Sequence, residues 1–307
     1  LNGLYTYQLQ NRKLSPLGTK RNGLPHNTIY SIIRTGDNQI YVGTYNGLCR
    51  YIASNGKFEK IPLPVNSSQS NLFVNSLLED TGRQCIWIGT EGYLFQYFPS
   101  TGQMKQTEAF HNNSIKSLAL DGNGYLLAGT DNGLYVYHND VTPLQHIIHD
   151  SRNIQSLTNN IIWNIFADQE HNIWLGTDYG ISLSRYNSAL QFIPISQITG
   201  TGDGNQFYSL FRDSKGFYWF GGTNGLIRFT DPAGDKHNAI WYRMGDKTYP
   251  LSHNRIRHIY EDKEQQLWIA TDGSINRYDY ATRQFIHYNI VDNTGTYNTN
   301  WTYYIFE

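Results

Sequence analysis

The sequence predicts an all-β fold: a seven-bladed β-propeller of four-stranded antiparallel blades, with the closing blade shared between the N- and C-termini. Three observations predict it. The first is a five-residue phrase, three apolar residues closed by Gly-Thr, that opens as Ile40-Tyr41-Val42-Gly43-Thr44 and returns as Ile86–Thr90, Leu126–Thr130, Ile173–Thr177, Tyr218–Gly222 and Leu267–Thr271. The second is its spacing. Measured on the last position, the steps are 90−44 = 46, 130−90 = 40, 177−130 = 47, 222−177 = 45 and 271−222 = 49. A period in the forties built from short strands and glycine turns marks a radial β array. The third is an overlap of the ends: Gly3-Leu4-Tyr5 matches Gly47-Leu48-Cys49, and Asn300–Glu307 matches Asn254–Glu261. The N-terminus would then supply the outer strands of a blade and the C-terminus its inner strand, with residues 1–10 and 298–307 side by side.

The first unit shows how each element is read. Leu24–Asn27 is a polar entry loop, and Thr28–Arg34 is a first strand rich in β-branched residues. Thr35–Asn38 is a hairpin turn and Gln39–Thr44 the second strand. Tyr45-Asn46-Gly47 turns again, Leu48–Ile52 is the third strand, and Phe58–Ile61 follows as the fourth after Ser54–Lys57. The second strand is apolar on both faces, as a strand between stacked sheets must be. Trp87, Trp174, Trp219 and Trp268 should fill the space between neighbouring sheets, and Gly89 should permit close approach at a strand end. The connections between units, at Pro62–Leu72, His146–Asn159, Pro194–Gly204, Arg243–His253 and Asn289–Asn300, are longer than the turns within them. Long loops on a rigid scaffold are where binding residues collect.

Composition bounds the function. The chain has 307 residues, and with no break in the repeat it reads as a single domain over 1–307. A net charge of −1 leaves no footprint for nucleic acid. No apolar run approaches the roughly 18 residues of a transmembrane helix. Cys49 and Cys85 lack metal-ligand spacing and read as small buried hydrophobes.

The phrase L-x-x-N-x-I-x-x-I-x-x-D, followed by W-I-G-T-x-x-G-L-x-x-Y, is clearest at Leu157–Tyr186 and Leu251–Tyr278. It resembles the two-component regulator propeller repeat, with departures at Gly222, Ala270 and the weak third copy Leu126-Leu127-Ala128. The resemblance implies the extracytoplasmic sensor region of a hybrid two-component system histidine kinase. Such a sensor lies in the periplasm, is anchored in the inner membrane, and detects oligosaccharides from polysaccharide breakdown. It implies that this chain is a fragment of a longer protein whose other parts include further sensor domains, a membrane helix and the kinase. The implied partners are the oligosaccharide, those other domains and, through them, a second copy of the chain.

Conventional catalytic and metal signatures are weak. His146-x-x-His149 beside Asp150 lacks a second ligand cluster, and Asp121-Gly122-Asn123-Gly124 begins like a calcium loop without its later glutamate. No cofactor is expected. A better signal comes from aligning the first strands. Positions equivalent to 29 and 32 are apolar throughout, but the position between reads Tyr30, Asn75, Lys116, Trp163, Tyr208, Arg257 and, in the closing blade, Tyr303. These large or polar residues are predicted to ring a channel mouth as a ligand-binding site, aromatic rings serving as platforms for sugar faces and Lys, Arg and Asn binding hydroxyls or carboxylates. The plainer alternative is that they line a solvated channel. In functional terms the resemblance implies a ligand-binding sensor module rather than an enzyme. The alternative, a propeller hydrolase or lyase acting on a carbohydrate or related substrate, is disfavoured because the column holds no Asp or Glu.

Overall fold

The computed structural model describes residues 3–8, 13–65, 73–106, 113–138, 143–186, 192–195, 205–231, 239–289 and 301–307. Among them are six four-stranded antiparallel sheets and one two-stranded sheet. The first strands of the six blades are Ile29–Arg34, Val74–Asp80, Ile115–Leu120, Ile162–Ala167, Phe207–Arg212 and Ile256–Glu261. The second strands are Ile40–Thr44, Cys85–Thr90, Leu126–Thr130, Ile173–Thr177, Tyr218–Gly222 and Leu267–Thr271, so each phrase is a second strand. In every blade the chain proceeds strand by strand across the sheet, without crossovers. The described residues up to Leu118 form one compact unit and those from Ala119 onward another.

The structure overturns the predicted count: there are six blades, not seven. Leu4–Gln8 and Lys13–Leu17 pair with each other as an outer hairpin, and residues 301–307 form no strand. The physical reason lies in the chain itself. Among the described residues no second strand of that pattern joins the hairpin to a first strand, and residues 301–307 enter no ladder. Parts of the long connections, at 66–72, 196–204 and 290–300, lie outside the described residues.

The phrase has a distinct physical task at each position. The middle residue of its apolar triplet is buried in all six copies: Tyr41, Trp87, Leu127, Trp174, Trp219 and Trp268. Within the second unit the indoles sit against the following blade. Trp174 meets Tyr218 at 5.1 Å and Phe220 at 5.7 Å between ring centroids, and Trp219 meets Tyr278 at 4.9 Å. Each glycine is the point of closest approach. A Cβ on Gly129 would stand 2.7 Å from Ile162 Cγ2, and one on Gly221 would stand 2.4 Å from Ile256 Cγ2. The threonine closes the next turn. Thr177 Oγ1 donates to the Gly180 carbonyl at 2.9 Å and accepts the Tyr179 N–H at 3.1 Å. Thr44, Thr130 and Thr271 repeat the pattern. The departure at Gly222 has a cause: Asn205 Oδ1 takes over the turn, accepting from Asn224 N at 3.0 Å, and a Cβ on Gly222 would stand 2.4 Å from that oxygen.

A carboxylate ties the indole to the first turn. Trp87, Trp174, Trp219 and Trp268 donate Nε1–H to Asp80, Asp168, Asp213 and Asp262 at 3.0, 2.8, 2.7 and 2.7 Å. Replacing Asp213 by alanine should strip the acceptor from Trp219 and from the Tyr280 hydroxyl, which donates to it at 2.7 Å. At about 1–3 kcal/mol per orphaned donor, denaturant unfolding should show a loss of about 2–6 kcal/mol. Trp174→Ala should cost about 3–5 kcal/mol by cavity formation. Hydrogen exchange should confine both losses to the altered blade and its neighbours, since blades contact chiefly the next one along.

Candidate ligand-binding site

In five blades the pairing between first and second strands slips at one place. Ile29 pairs with Thr44 but Ser31 pairs with Gly43, so Tyr30 has no opposite residue. Asn75, Trp163, Tyr208 and Arg257 are skipped in the same way. Each is the extra residue of a β-bulge, which leaves the residue outside the ladder and re-aims its side chain. The variable column singled out in the sequence is therefore a column of bulges. Lys116 holds the corresponding place in the third first strand, and Tyr303 lies in the C-terminal segment.

Tyr30, Asn75 and Lys116 belong to the first unit. Tyr30 lies 6.2 Å from Phe73, which stacks at 4.1 Å on Tyr45, itself 4.9 Å from His26. Asn75 donates to Glu91 Oε1 and Ser114 Oγ, both at 3.0 Å.

The second unit brings its four column residues into one row. Trp163 and Tyr208 meet edge to face at 5.2 Å. The Arg257 guanidinium lies 5.8 Å from the Tyr208 ring and 4.5 Å from the Tyr303 ring. All four are half-buried. Trp163 is held by its indole N–H, which donates to Asp178 at 2.7 Å. Tyr208 donates its hydroxyl to Gln206, and burial pushes its phenol above the ordinary tyrosine value. Arg257 forms a two-pronged pair with Asp272, at 2.7 and 3.0 Å. Burial opposes the guanidinium charge, but the bonds and charge of Asp272 outweigh it and raise the Arg257 pKa. The row therefore offers aromatic faces around a cation that is already neutralised.

Sequence reasoning missed the partners of the column. Glu91, Asp178 and Asp272 each follow the threonine of the phrase and each holds the column residue of its own blade. A signal was present: the two positions vary together as Tyr30/Tyr45, Asn75/Glu91, Lys116/Asp131, Trp163/Asp178, Tyr208/Thr223 and Arg257/Asp272. The absence of Asp and Glu from the column consequently loses its force as an argument against catalysis, because carboxylates stand beside it. Two of them, Asp178 and Asp272, are engaged in holding the row.

The weaker motifs are structural. His146 Nε2 bonds to the Asn132 carbonyl at 2.6 Å while its ring stacks 4.0 Å from Tyr135. His149 Nδ1 bonds to the Leu157 carbonyl at 2.5 Å, and Asp150 pairs with Arg152. Asp121 Oδ1 caps its own turn, accepting from Asn123 N and Tyr125 N at 2.9 and 2.8 Å. Among the described residues no three His, Cys, Asp or Glu side chains form a metal-holding group. Cys49 and Cys85 are buried free thiols, and burial pushes Cys49 up to about 12.

The family model described as two component regulator propeller matches residues 23–46, 156–179, 201–224 and 250–273. This chain is built from two-component regulator propeller repeats. Its matched segments run from the entry loop through the phrase and so contain both the bulge and its partner position. The chain is 93% identical to the extracellular domain of a proposed hybrid two-component system protein of B. thetaiotaomicron, covering 100% of this chain and 41% of that one with a TM-score of 0.60. It is 26% identical over 305 residues to Histidine kinase P4 of Formosa agariphila, over 90% of this chain and 21% of that protein. The chain thus spans less than half the length of either relative. A virginiamycin B lyase structure from Staphylococcus aureus, 14% identical with a TM-score of 0.67 over 90% of this chain and 88% of that one, shares the fold alone. The regulator propeller accordingly resembles an extracytoplasmic part of two-component signalling proteins.

One residue beside the row titrates abnormally. His258 follows Arg257 at the bulge. Its Nδ1 accepts the Ile305 N–H at 3.3 Å, and its ring stacks 3.8 Å from that of Tyr304. Burial pushes its pKa down to about 3. An unfolded histidine titrates near 6.5, so below about that pH the unfolded chain takes up a proton the folded imidazole refuses. The contribution to stability is complete above pH ~6.5 and declines as the pH falls toward the folded value. Thermal unfolding between pH 7 and about 4 should show a steeper acid loss for the wild type than for His258→Phe, which keeps a stacking ring but cannot titrate.

Proposed function

We propose that this chain is a ligand-sensing module of a hybrid two-component signalling protein, working in the periplasm as part of an inner-membrane protein, and that its ligand is an oligosaccharide released from polysaccharide breakdown. The observation that carries the reading is the row formed by Trp163, Tyr208 and Arg257, at successive bulges, with Tyr303 against Arg257. Aromatic rings set edge to face expose faces suited to the apolar side of a sugar ring, and a guanidinium and carboxylates at their margins suit hydroxyls. Because Asp272 already occupies Arg257, the row favours neutral sugars over acidic ones. The similarity to an extracellular domain of a two-component protein supports the location and the signalling role. Signal transfer then passes through parts of the protein beyond this chain.

A hydrolase or lyase reading draws on the carboxylates beside the column. It is weaker, because Asp178 and Asp272 are each committed to a tight hydrogen-bonded pair that orients a column residue.

Calorimetry with a panel of neutral and uronate-containing di- to hexasaccharides tests both readings. Neutral members should bind, and Trp163→Ala or Tyr303→Ala should weaken them about tenfold or more, roughly 1.4 kcal/mol per tenfold. Arg257→Ala is a poorer probe, since it strips the buried Asp272 of its two short bonds, leaving only Arg255 at 3.9 Å, and threatens folding. Binding that survives both aromatic substitutions unchanged would move the ligand elsewhere, and release of new reducing ends from the panel would favour the enzyme.

A further inference from the structure

The first-turn aspartates of the repeat form an internal comparison, and one of them breaks the pattern. Asp80, Asp168, Asp213 and Asp262 are buried, and in each Oδ2 accepts an indole N–H from its own blade. Two receive a second donor from the following blade: the Tyr218 hydroxyl reaches Asp168 at 3.2 Å and the Tyr280 hydroxyl reaches Asp213 at 2.7 Å. In the third blade the same aspartate is Asp121, which is only partly buried. Leu127 stands where the indole would be, six residues on, and Ile173 stands in the place of Tyr218, one residue before its blade's tryptophan. Tyr186 is the equivalent of Tyr280, twelve residues after that tryptophan, but it is 38% exposed and lies against the Gly122 turn with His171, at 5.1 Å between rings. A Cβ on Gly122 would meet both side chains at 2.7 Å, so this glycine is what admits them. Asp121 Oδ1 is satisfied by its turn, whereas Oδ2 accepts from no group among the described residues.

Beside that carboxylate lies an open cavity of about 240 Å³. Asp121 lines it, with the rings of Tyr125, His171 and Tyr186 and an apolar floor that includes Ile173. Asn123, Gln145 and Arg185 supply polar groups at its margin. It lies at the opposite end of the first strands from the Trp163 row, since Trp163 begins its strand and the Asp168 turn follows the other end.

We propose that this cavity is a second binding site that takes one sugar ring in its pyranose form. A pyranose hydroxyl would donate to Asp121 Oδ2, supplying the hydrogen bond that tryptophan or tyrosine supplies elsewhere in the repeat. The apolar face of the ring would lie on the tyrosines, and the side-chain amides would bind its remaining hydroxyls. The volume falls below the roughly 300 Å³ at which pockets for larger ligands begin, which limits the site to a single ring. A free cation suits it less, because Arg185 stands on the margin. The proposal is independent of the oligosaccharide assigned to the row.

Saturation-transfer NMR on the intact chain, with glucose, galactose, mannose and N-acetylglucosamine as probes, tests it. At least one should receive saturation, strongest on the protons of its apolar face. Asp121→Asn keeps an oxygen for the turn but turns the second acceptor into a donor, and should weaken that sugar at least tenfold. Leu127→Trp should supply Asp121 Oδ2 with the indole donor found in the other blades and so weaken the sugar by competing for that oxygen. Should Leu127→Trp fail to fold, Asp121→Asn alone decides. The proposal is overturned if no probe receives saturation from the wild type, or if the sugar binds Asp121→Asn as tightly as the wild type. Trp163→Ala reads the row and Asp121→Asn the cavity, so the two assignments fail separately.

Discussion

An ionised carboxylate taken out of water costs several kcal/mol unless its oxygens are bonded, and the repeat places one at the end of the first strand in blade after blade. The structure meets that cost from two directions. Oδ1 accepts backbone N–H groups of its own turn, as Asp168 does from Asn172 and Asp262 from Gln266, both at 2.8 Å. Oδ2 accepts the indole. The result fixes three things together: the turn, the second strand and the rotamer of the largest side chain between blades. Asp80 shows the balance. Burial pushes its pKa up, but the bonds from Trp87 and Arg83 outweigh it and leave the carboxyl below its ordinary value. From the placement of the indole follows the contact with the next blade, and from that contact follows the need for glycine beside it, at Gly89, Gly176 and Gly221.

Much of this was legible because it repeats. Six copies of one phrase make a position's chemistry readable without any other sequence, since what is constant answers to packing. The strands, their order and the burial of Trp174 and Trp268 follow from the apolar triplet and its period. The ring count did not, because a match at the ends measures phase and not pairing. Gly3 does repeat the backbone of Gly47, with φ of 96° against 99°, yet phase alone cannot supply a missing middle strand. The left-handed residues before the second strands were also hidden. Asn38 announces itself, but Gln84, His171 and Gln265 adopt the same positive φ without the residue type that advertises it, because the flanking ladder imposes the turn.

The candidate site was half legible. The column stood out by variability, and the bulge explains that variability: a residue outside the ladder is free of the pairing and alternation that hold Ile29 and Ile32 to apolar types. Its carboxylate partners were hidden by distance along the chain. Asp178 and Asp272 lie fifteen residues beyond Trp163 and Arg257, and only the register of the first two strands, shifted by the bulge, brings them together.

The two ends of each first strand therefore carry different constraints. At the turn, one chemistry is repeated because a buried charge admits few solutions, and a substitution such as Leu127 leaves the Asp121 Oδ2 without the indole donor its counterparts have. At the bulge, many side chains are admitted because the backbone there has surrendered its ladder partner, and half-burial leaves their faces available. Variation in a repeat can accumulate at the second end without loosening the blade, as Trp163, Tyr208 and Arg257 show: three different side chains on one backbone irregularity, Trp163 and Arg257 each held by the carboxylate after its own second strand and Tyr208 by Gln206 two residues before it. That separation lets a run of similar blades keep one buried chemistry at the turn end of the first strands and vary the side chain at the bulge end.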